Sequence, residues 1–367
     1  MISRETFTRE HIENLQQNTG ADPSILERTV FAFGLLEAIR KTNLPFIFKG
    51  GTALISLLDN PRRLSTDIDI VVPEGTDIDD HIRKAGTIFP FLGVEENMRR
   101  KSGGIEKRHF RFSFTSPRRQ VPVTVLLDVV FENDPYVLTV QRPVNSGLLL
   151  SDGDSLYVTV PDKNCILADK LTAFAPHTAG VPFGKDKELE IIKQFFDCWT
   201  LLGEMDDYSR VCEAYDRLVR IELSYRDLHM DSGDVLLDTI RSCICMIGRG
   251  SIGEEYPLFL KGITAIRGHI FNGELSGETA AYKACEIMHL AACMMTEAPY
   301  ERPDPKEYMG ENLKIKGAKR ITYMRHVSPE AYACLIRSFR ILNGVGLFKE
   351  SVECTRPNDR DAEKDRL

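Results

Sequence analysis

With 367 residues, 43% of them hydrophobic and 28% charged, the chain has room for two domains or one large α/β unit with helical additions. Its net charge of −7 excludes a protein coated in basic charge for unspecific nucleic-acid binding, though not a local basic surface. No run approaches the roughly 18 apolar residues of a membrane span, and the polar start "MISRETFTREH" lacks a signal-peptide core, so a cytoplasmic location is the expectation.

Residues 23–42, "PSILERTVFAFGLLEAIRKT", carry apolar positions at helical spacing and end before Pro45, which disfavours helix at its predecessor. "FIF" (46–48) reads as a short buried strand, Gly50-Gly51 as a turn, and "TALISLL" as the next helix, starting at Thr52. "DIDIVV" (67–72) reads as a strand closed by Pro73, Glu74 and Gly75. A helix is predicted from Thr76, with Asp79 completing a capping box. "RHFRFSFTS" and "VPVTVLLDVVF" alternate as the arms of an antiparallel hairpin, with Phe110, Phe112 and Phe114 on one face. A second hairpin-like region runs to about residue 160, and "SDGDS" (151–155) within it is a tight turn without calcium-loop spacing.

From Asp162 the pattern turns helical, through "NCILADKLTAFAP" and "KELEIIKQFFDCWTLL". The expected division is an α/β domain over 1–160, a helical domain over 161–350 and a disordered tail over 351–367, where charge dominates and core-forming residues run out. Nine cysteines, an odd number without paired CxxC spacing, read as reduced buried thiols and argue against a disulfide or zinc framework.

The stretch "FKGGTALISLLDNPRRLSTDIDIVV" concentrates the chemistry. Side chains alternate along a strand, so Asp67 and Asp69 share a face about 7 Å apart while Ile68 and Ile70 point to the core. Mg²⁺ binds through one or two carboxylates plus substrate phosphates. A further carboxylate completes a two-metal phosphoryl-transfer site. Asp128, a lone acid inside the apolar "VLLDVVF", is the candidate, because an unpaired buried acid calls for a nearby cation or donor. Gly50 and Gly51 let the backbone approach a triphosphate, and the helix behind them offers free N–H groups and a positive dipole end.

These residues resemble the nucleotidyltransferase signature of the AbiEii/AbiGii-type toxins, the nucleotidyltransferase half of type IV toxin–antitoxin systems. The likeness rests on "KGGTALISLL" with Gly50, Gly51 and Thr52, then "RRLSTDID" with Arg63, Ser65, Asp67 and Asp69. "CILADKLTAFAP" adds the acid–lysine pair Asp169-Lys170, and "GKDKELEIIKQFFDCWTL" adds Asp197. It spans roughly residues 25–205; no motif maps onto 206–367. The resemblance implies an α+β nucleotidyltransferase fold, a mixed sheet flanked by helices with a mostly helical C-terminal half. It implies transfer of a nucleoside monophosphate from an NTP to an acceptor, with pyrophosphate released; in characterised relatives the acceptor is the tRNA 3′ end and translation stops. Asp67 and Asp69 would bind two Mg²⁺ ions, and Asp128 the one that activates the attacking hydroxyl. Thr52, Arg63 and Ser65 would position the triphosphate, Lys170 would neutralise it, and Asp197 would act on the acceptor or on Lys170. A cognate antitoxin is expected only from the family.

Plainer readings compete. Asp77 and Asp79 repeat the Asp-x-Asp spacing, where helix capping is the better account. Asp128 taken alone can also be read as a satisfied buried acid, Lys170 as a surface lysine, Asp197 as a structural acid, and His109 and His177 as ordinary histidines. The basic segments 98–120 and 313–326 are by default solvated faces; the first has a claim on RNA because aromatics interleave its charges in "KRHFRF". At the level of function, the rivals are transfer to a small molecule or a protein hydroxyl, and a non-catalytic nucleotide- or partner-binding module.

Overall fold

The computed structural model describes residues 1–97, 105–184, 186–315, 321–344 and 352–355. The chain divides into two compact units, one comprising Met1–Ile166, Ser224–Leu228 and Arg267–Glu274, the other Leu167–Leu223, His229–Ile266 and Leu275–Leu367.

In the first unit, helices α1 (Arg9–Thr19) and α2 (Pro23–Lys41) precede strand β1 (Ile47–Lys49), helix α3 (Gly50–Leu57) and strand β2 (Asp67–Val72). Helix α4 (Asp79–Ala85) and strands β3 (Gly93–Glu96), β4 (Glu106–Thr115), β5 (Pro122–Phe131), β6 (Thr139–Pro143) and β7 (Tyr157–Pro161) follow. The seven strands form one mixed sheet in the order β3-β4-β5-β2-β1-β7-β6. β2 runs parallel to β5 and antiparallel to β1.

α2 begins where Asp22 accepts the N–H groups of Ser24 and Ile25 at 2.8 and 3.1 Å and Pro23 takes the first turn. It packs on β2 and β5, and its Phe31 stacks on Phe114 of β4 with centroids 3.7 Å apart. That packing buries Ile68, Ile70, Leu127, Val129, Phe112 and Phe114 completely, and alternation leaves Asp67, Asp69 and Asp128 on the opposite, half-buried face.

Local details differ from the sequence reading. Helix α4 begins at Asp79, not Thr76, with no side-chain cap. The Thr76 hydroxyl donates to the Pro73 carbonyl, and Asp77 accepts the Asp79 N–H at 3.1 Å, so short-range side-chain bonds hold a turn where a helix start was expected. The glycines open α3 and do not precede it as a separate turn.

The second unit takes up α5 (Lys163–Ala173) from Leu167 onward, then α6 (Glu188–Glu204), α7 (Tyr208–Tyr225) as far as Leu223, α8 (Ser232–Gly248), α9 (Tyr256–Ala265), α10 (Gly277–Met295), α11 (Met324–Val327) and α12 (Pro329–Gly344). Capping boxes at Asp231/Asp234 and Ser276/Thr279 start α8 and α10, which pack together, with α12 on α10. Val352–Thr355 forms strand β9 against β8 (Asn312–Ile315). The expected disordered tail, 351–367, therefore contains a strand, and its remainder, residue 351 and residues 356–367, lies outside the described residues. Among the described residues eight cysteines are free thiols, all but the partly exposed Cys212 buried; burial pushes Cys165 up to about 12 and Cys245 to about 11.

His177 is less ordinary than its sequence context suggests. Its Nδ1 lies 2.7 Å from Asp238 Oδ1 and its Nε2 2.6 Å from Glu255 Oε1. Asp238 also accepts the His177 backbone N–H and the Thr178 hydroxyl. Burial works against the imidazolium, but the hydrogen bonds and charges of Glu255 and Asp238 outweigh it and hold the pKa above 6.5. Because the folded value is the raised one, this clamp stabilises fully below pH 6.5 and is lost as pH rises through the higher folded-state value. Denaturant midpoints should therefore fall as pH rises above 6.5, and His177→Gln should flatten that fall.

Candidate functional site

The predicted site residues fall into two groups, each within one unit. In the first unit, one rung of the sheet crosses four strands. Lys49 of β1 is in register with Asp69 of β2, Asp69 with Asp128 of β5, and Asp128 with His109 of β4. Neighbouring strands lie about 4.8 Å apart, so the two aspartates are immediate neighbours, and Asp67 sits two residues further along the same face of β2. His109 Nδ1 lies 2.6 Å from Asp128 Oδ1 and fixes that carboxylate's orientation.

The glycine elbow closes against this rung. Gly50 has φ +80, and a Cβ there would fall 2.0 Å from Asp69 Oδ2. A Cβ on Gly51 would fall 2.7 Å from Ser65 Oγ and 2.9 Å from an Arg63 terminal nitrogen. The two missing side chains thus leave room for the Asp69 carboxylate on one side and for the Ser65 hydroxyl and Arg63 guanidinium on the other. α3 begins at this elbow, and no side chain caps its first turn. Arg63 is 7% exposed, with its segment held by backbone bonds from Leu64 to His269 and from Phe271 to Arg62.

Thr52 differs from expectation. Its side chain is wholly buried and its hydroxyl donates to the Asp67 carbonyl at 2.6 Å. That bond fastens α3 to β2.

Gly50→Ala should force a side chain into left-handed backbone, costing about 1–2 kcal/mol, and push the Asp69 carboxylate from its seat. A lower melting temperature with at least tenfold weaker nucleotide binding, read by calorimetry, is the expected outcome.

The second group lies in the second unit. Lys170 of α5 is 5% exposed and Asp197 of α6 is 1% exposed. Their charged atoms are 3.4 Å apart, and Lys170 donates to Gln194 Oε1 at 3.1 Å. Lys170 is therefore a buried, paired ammonium and not a surface lysine, and Asp197 is its counter-charge.

The carboxylates suit a hard cation such as Mg²⁺, all three being oxygen donors on one face of two adjacent strands. Among the described residues, no three His, Cys, Asp or Glu side chains already form a metal cage. Sequence reasoning missed Lys49 and His109. The alternation around Phe110 puts His109 on the face opposite the phenylalanines, but only register places it beside Asp128.

A protein-family model described as nucleotidyl transferase AbiEii toxin, type IV toxin–antitoxin system, matches residues 35–242, from within α2 to within α8. Among solved structures, JHP933 from Helicobacter pylori is similar at 13% identity, over 74% of this chain and 93% of that one, with a TM-score of 0.43. A second H. pylori structure, named as a candidate nucleotidyltransferase, has the same identity and TM-score and is covered over 96% of its length. No curated protein matches the sequence.

Proposed function

Because this chain belongs to the AbiEii family of nucleotidyltransferase toxins, we propose that it transfers a nucleoside monophosphate from an NTP to the 3′ end of tRNA with Mg²⁺. The observation that carries this reading is the rung that sets Asp69 beside Asp128, with a glycine elbow closed against it.

The N–H groups at the start of α3 would receive the phosphates, since a helix N-terminus favours negative charge. Arg63 and Ser65, held against Gly51, would grip the same phosphates from the side. Asp67, Asp69 and Asp128 would hold two Mg²⁺ ions, which when bound neutralise triphosphate charge and acidify the attacking hydroxyl. The acceptor oxygen then bonds to the α-phosphorus, the P–O bond to the β-phosphate breaks, and pyrophosphate leaves. Asp128, kept in one orientation by His109, accepts the hydroxyl proton on its way to solvent. Lys170 and Asp197 enter the proposal as one ion pair, whose part in the reaction is separable from its part in folding.

Incubating the protein with each labelled NTP, Mg²⁺ and total tRNA tests the reading. Label on tRNA is expected. Label on a polypeptide or a small molecule would move the acceptor to another class, and no transfer with any NTP would overturn the enzymatic account. A cognate antitoxin is part of the same proposal. No helix among the described residues is long and apolar enough to cross a membrane.

A further inference from the structure

The basic, aromatic segment "KRHFRF" was a candidate for stacking on RNA bases, and the structure closes that route. Phe110, Phe112 and Phe114 are 4%, 0% and 0% exposed, packed on the α2 side of the sheet. Arg108 belongs to that side too, where it bonds Glu96 at 2.8 Å and Asp79 at 2.7 Å. The residues between them point the other way. Register sets Lys107 opposite Val130, His109 opposite Asp128 and Arg111 opposite Leu126, which is itself paired with Asp67. Lys107, His109 and Arg111 thus line the same face as the carboxylates, on the strand next to Asp128.

Both cations are exposed, and among the described residues neither has an ion-pair partner. The acid directly opposite Arg111 is Glu95 on β3, itself exposed, while Asp128 on β5 lies diagonal to both cations. Lys107 and Arg111 are four strand steps apart, about 13 Å, enough for more than one backbone phosphate. In a chain of net charge −7, a polyanion must be attracted locally, and this stripe meets that need beside the carboxylate nearest to it.

We propose that Lys107 and Arg111 of β4 carry the sugar–phosphate backbone of a single-stranded RNA end and deliver its terminal hydroxyl to Asp128. This rests on the nucleotidyltransferase reading above and adds the path of the acceptor. Contact is to phosphate, so the stripe sets affinity and register and not base sequence. The three carboxylates oppose the same polyanion until they are neutralised, so RNA affinity rises when divalent cations are added.

The test uses the full-length protein and its Lys107→Gln/Arg111→Gln double variant, with Lys84→Gln, an exposed neutralisation on α4, as control. Affinity for a short fluorescein-labelled single-stranded RNA is measured by anisotropy across a salt series with Mg²⁺ present. The double variant should bind at least tenfold more weakly. Its salt slope should be shallower by about 1.4, two contacts at about 0.7 each for single strands. Its acceptor KM should rise while kcat at saturating acceptor and NTP affinity hold. Equal RNA affinity and acceptor KM in the double variant and the wild type would overturn the stripe and leave the enzyme reading intact. Wild type that binds no RNA, or that prefers polyglutamate, would overturn it together with the RNA acceptor. Circular dichroism confirms that the variants fold.

Discussion

Asp69→Asn should reduce nucleotidyl transfer by about 10³-fold or more while leaving the fold in place. The substitution keeps the shape of the side chain seated against Gly50 but removes the charge from the middle of the rung Lys49–Asp69–Asp128–His109. Losing one neutral donor to developing transition-state charge costs about 10²–10³ in rate, and losing a carboxylate that holds metal should exceed it. Stability should move by less than about 1 kcal/mol, because Asp69 is only half-buried and its removal eases its repulsion with Asp128. Label transfer, Mn²⁺ affinity by calorimetry and a thermal melt give three independent readouts. A variant that still transfers label at the wild-type rate would sink the metal role of this rung; a variant that loses transfer but keeps the biological effect would favour a binding module.

Lys170→Met should produce the largest stability loss. It would leave Asp197, 1% exposed, without the ammonium 3.4 Å away, and breaking a buried pair from one side costs about 3–5 kcal/mol. In a unit of this size, that corresponds to a melting decrease of roughly 10 °C. Removing both charges, as in Lys170→Met/Asp197→Leu, should restore most of the loss, since apolar residues often replace a buried pair without cost. Transfer should stay lost in the folded double variant if the Lys170 charge serves the reaction. Recovery of both fold and transfer would make the pair purely structural.

The readable part of the sequence was the local part. Strict alternation in "DIDIVV" put two carboxylates on one face because a strand's backbone repeats every two residues whatever surrounds it. The same rule separated the phenylalanines of β4 from Lys107 and Arg111, although it could not say which set was buried. Start signals were less secure. Thr76 and Asp79 match a capping box in spacing, yet the Thr76 hydroxyl turns back to Pro73 and the helix waits three residues. The glycine pair was visible, but its closeness to Asp69 and Ser65 was not, because those contacts join residues about 15–20 positions apart.

Composition, alternation and motif order by themselves determined an α/β half, a helical half, and a family signature. Tertiary structure alone decided the rest: that β2 lies between β1 and β5, that His109 reaches Asp128, that Thr52 is buried, and that Lys170 is an ion-pair partner. Even the backing of Arg63 comes from Arg267–Glu274, some two hundred residues downstream, with no local mark to announce it. The reason is physical. Backbone geometry acts between neighbours and is written in any short window, whereas strand order, register and ion pairing depend on which distant surfaces bury each other best.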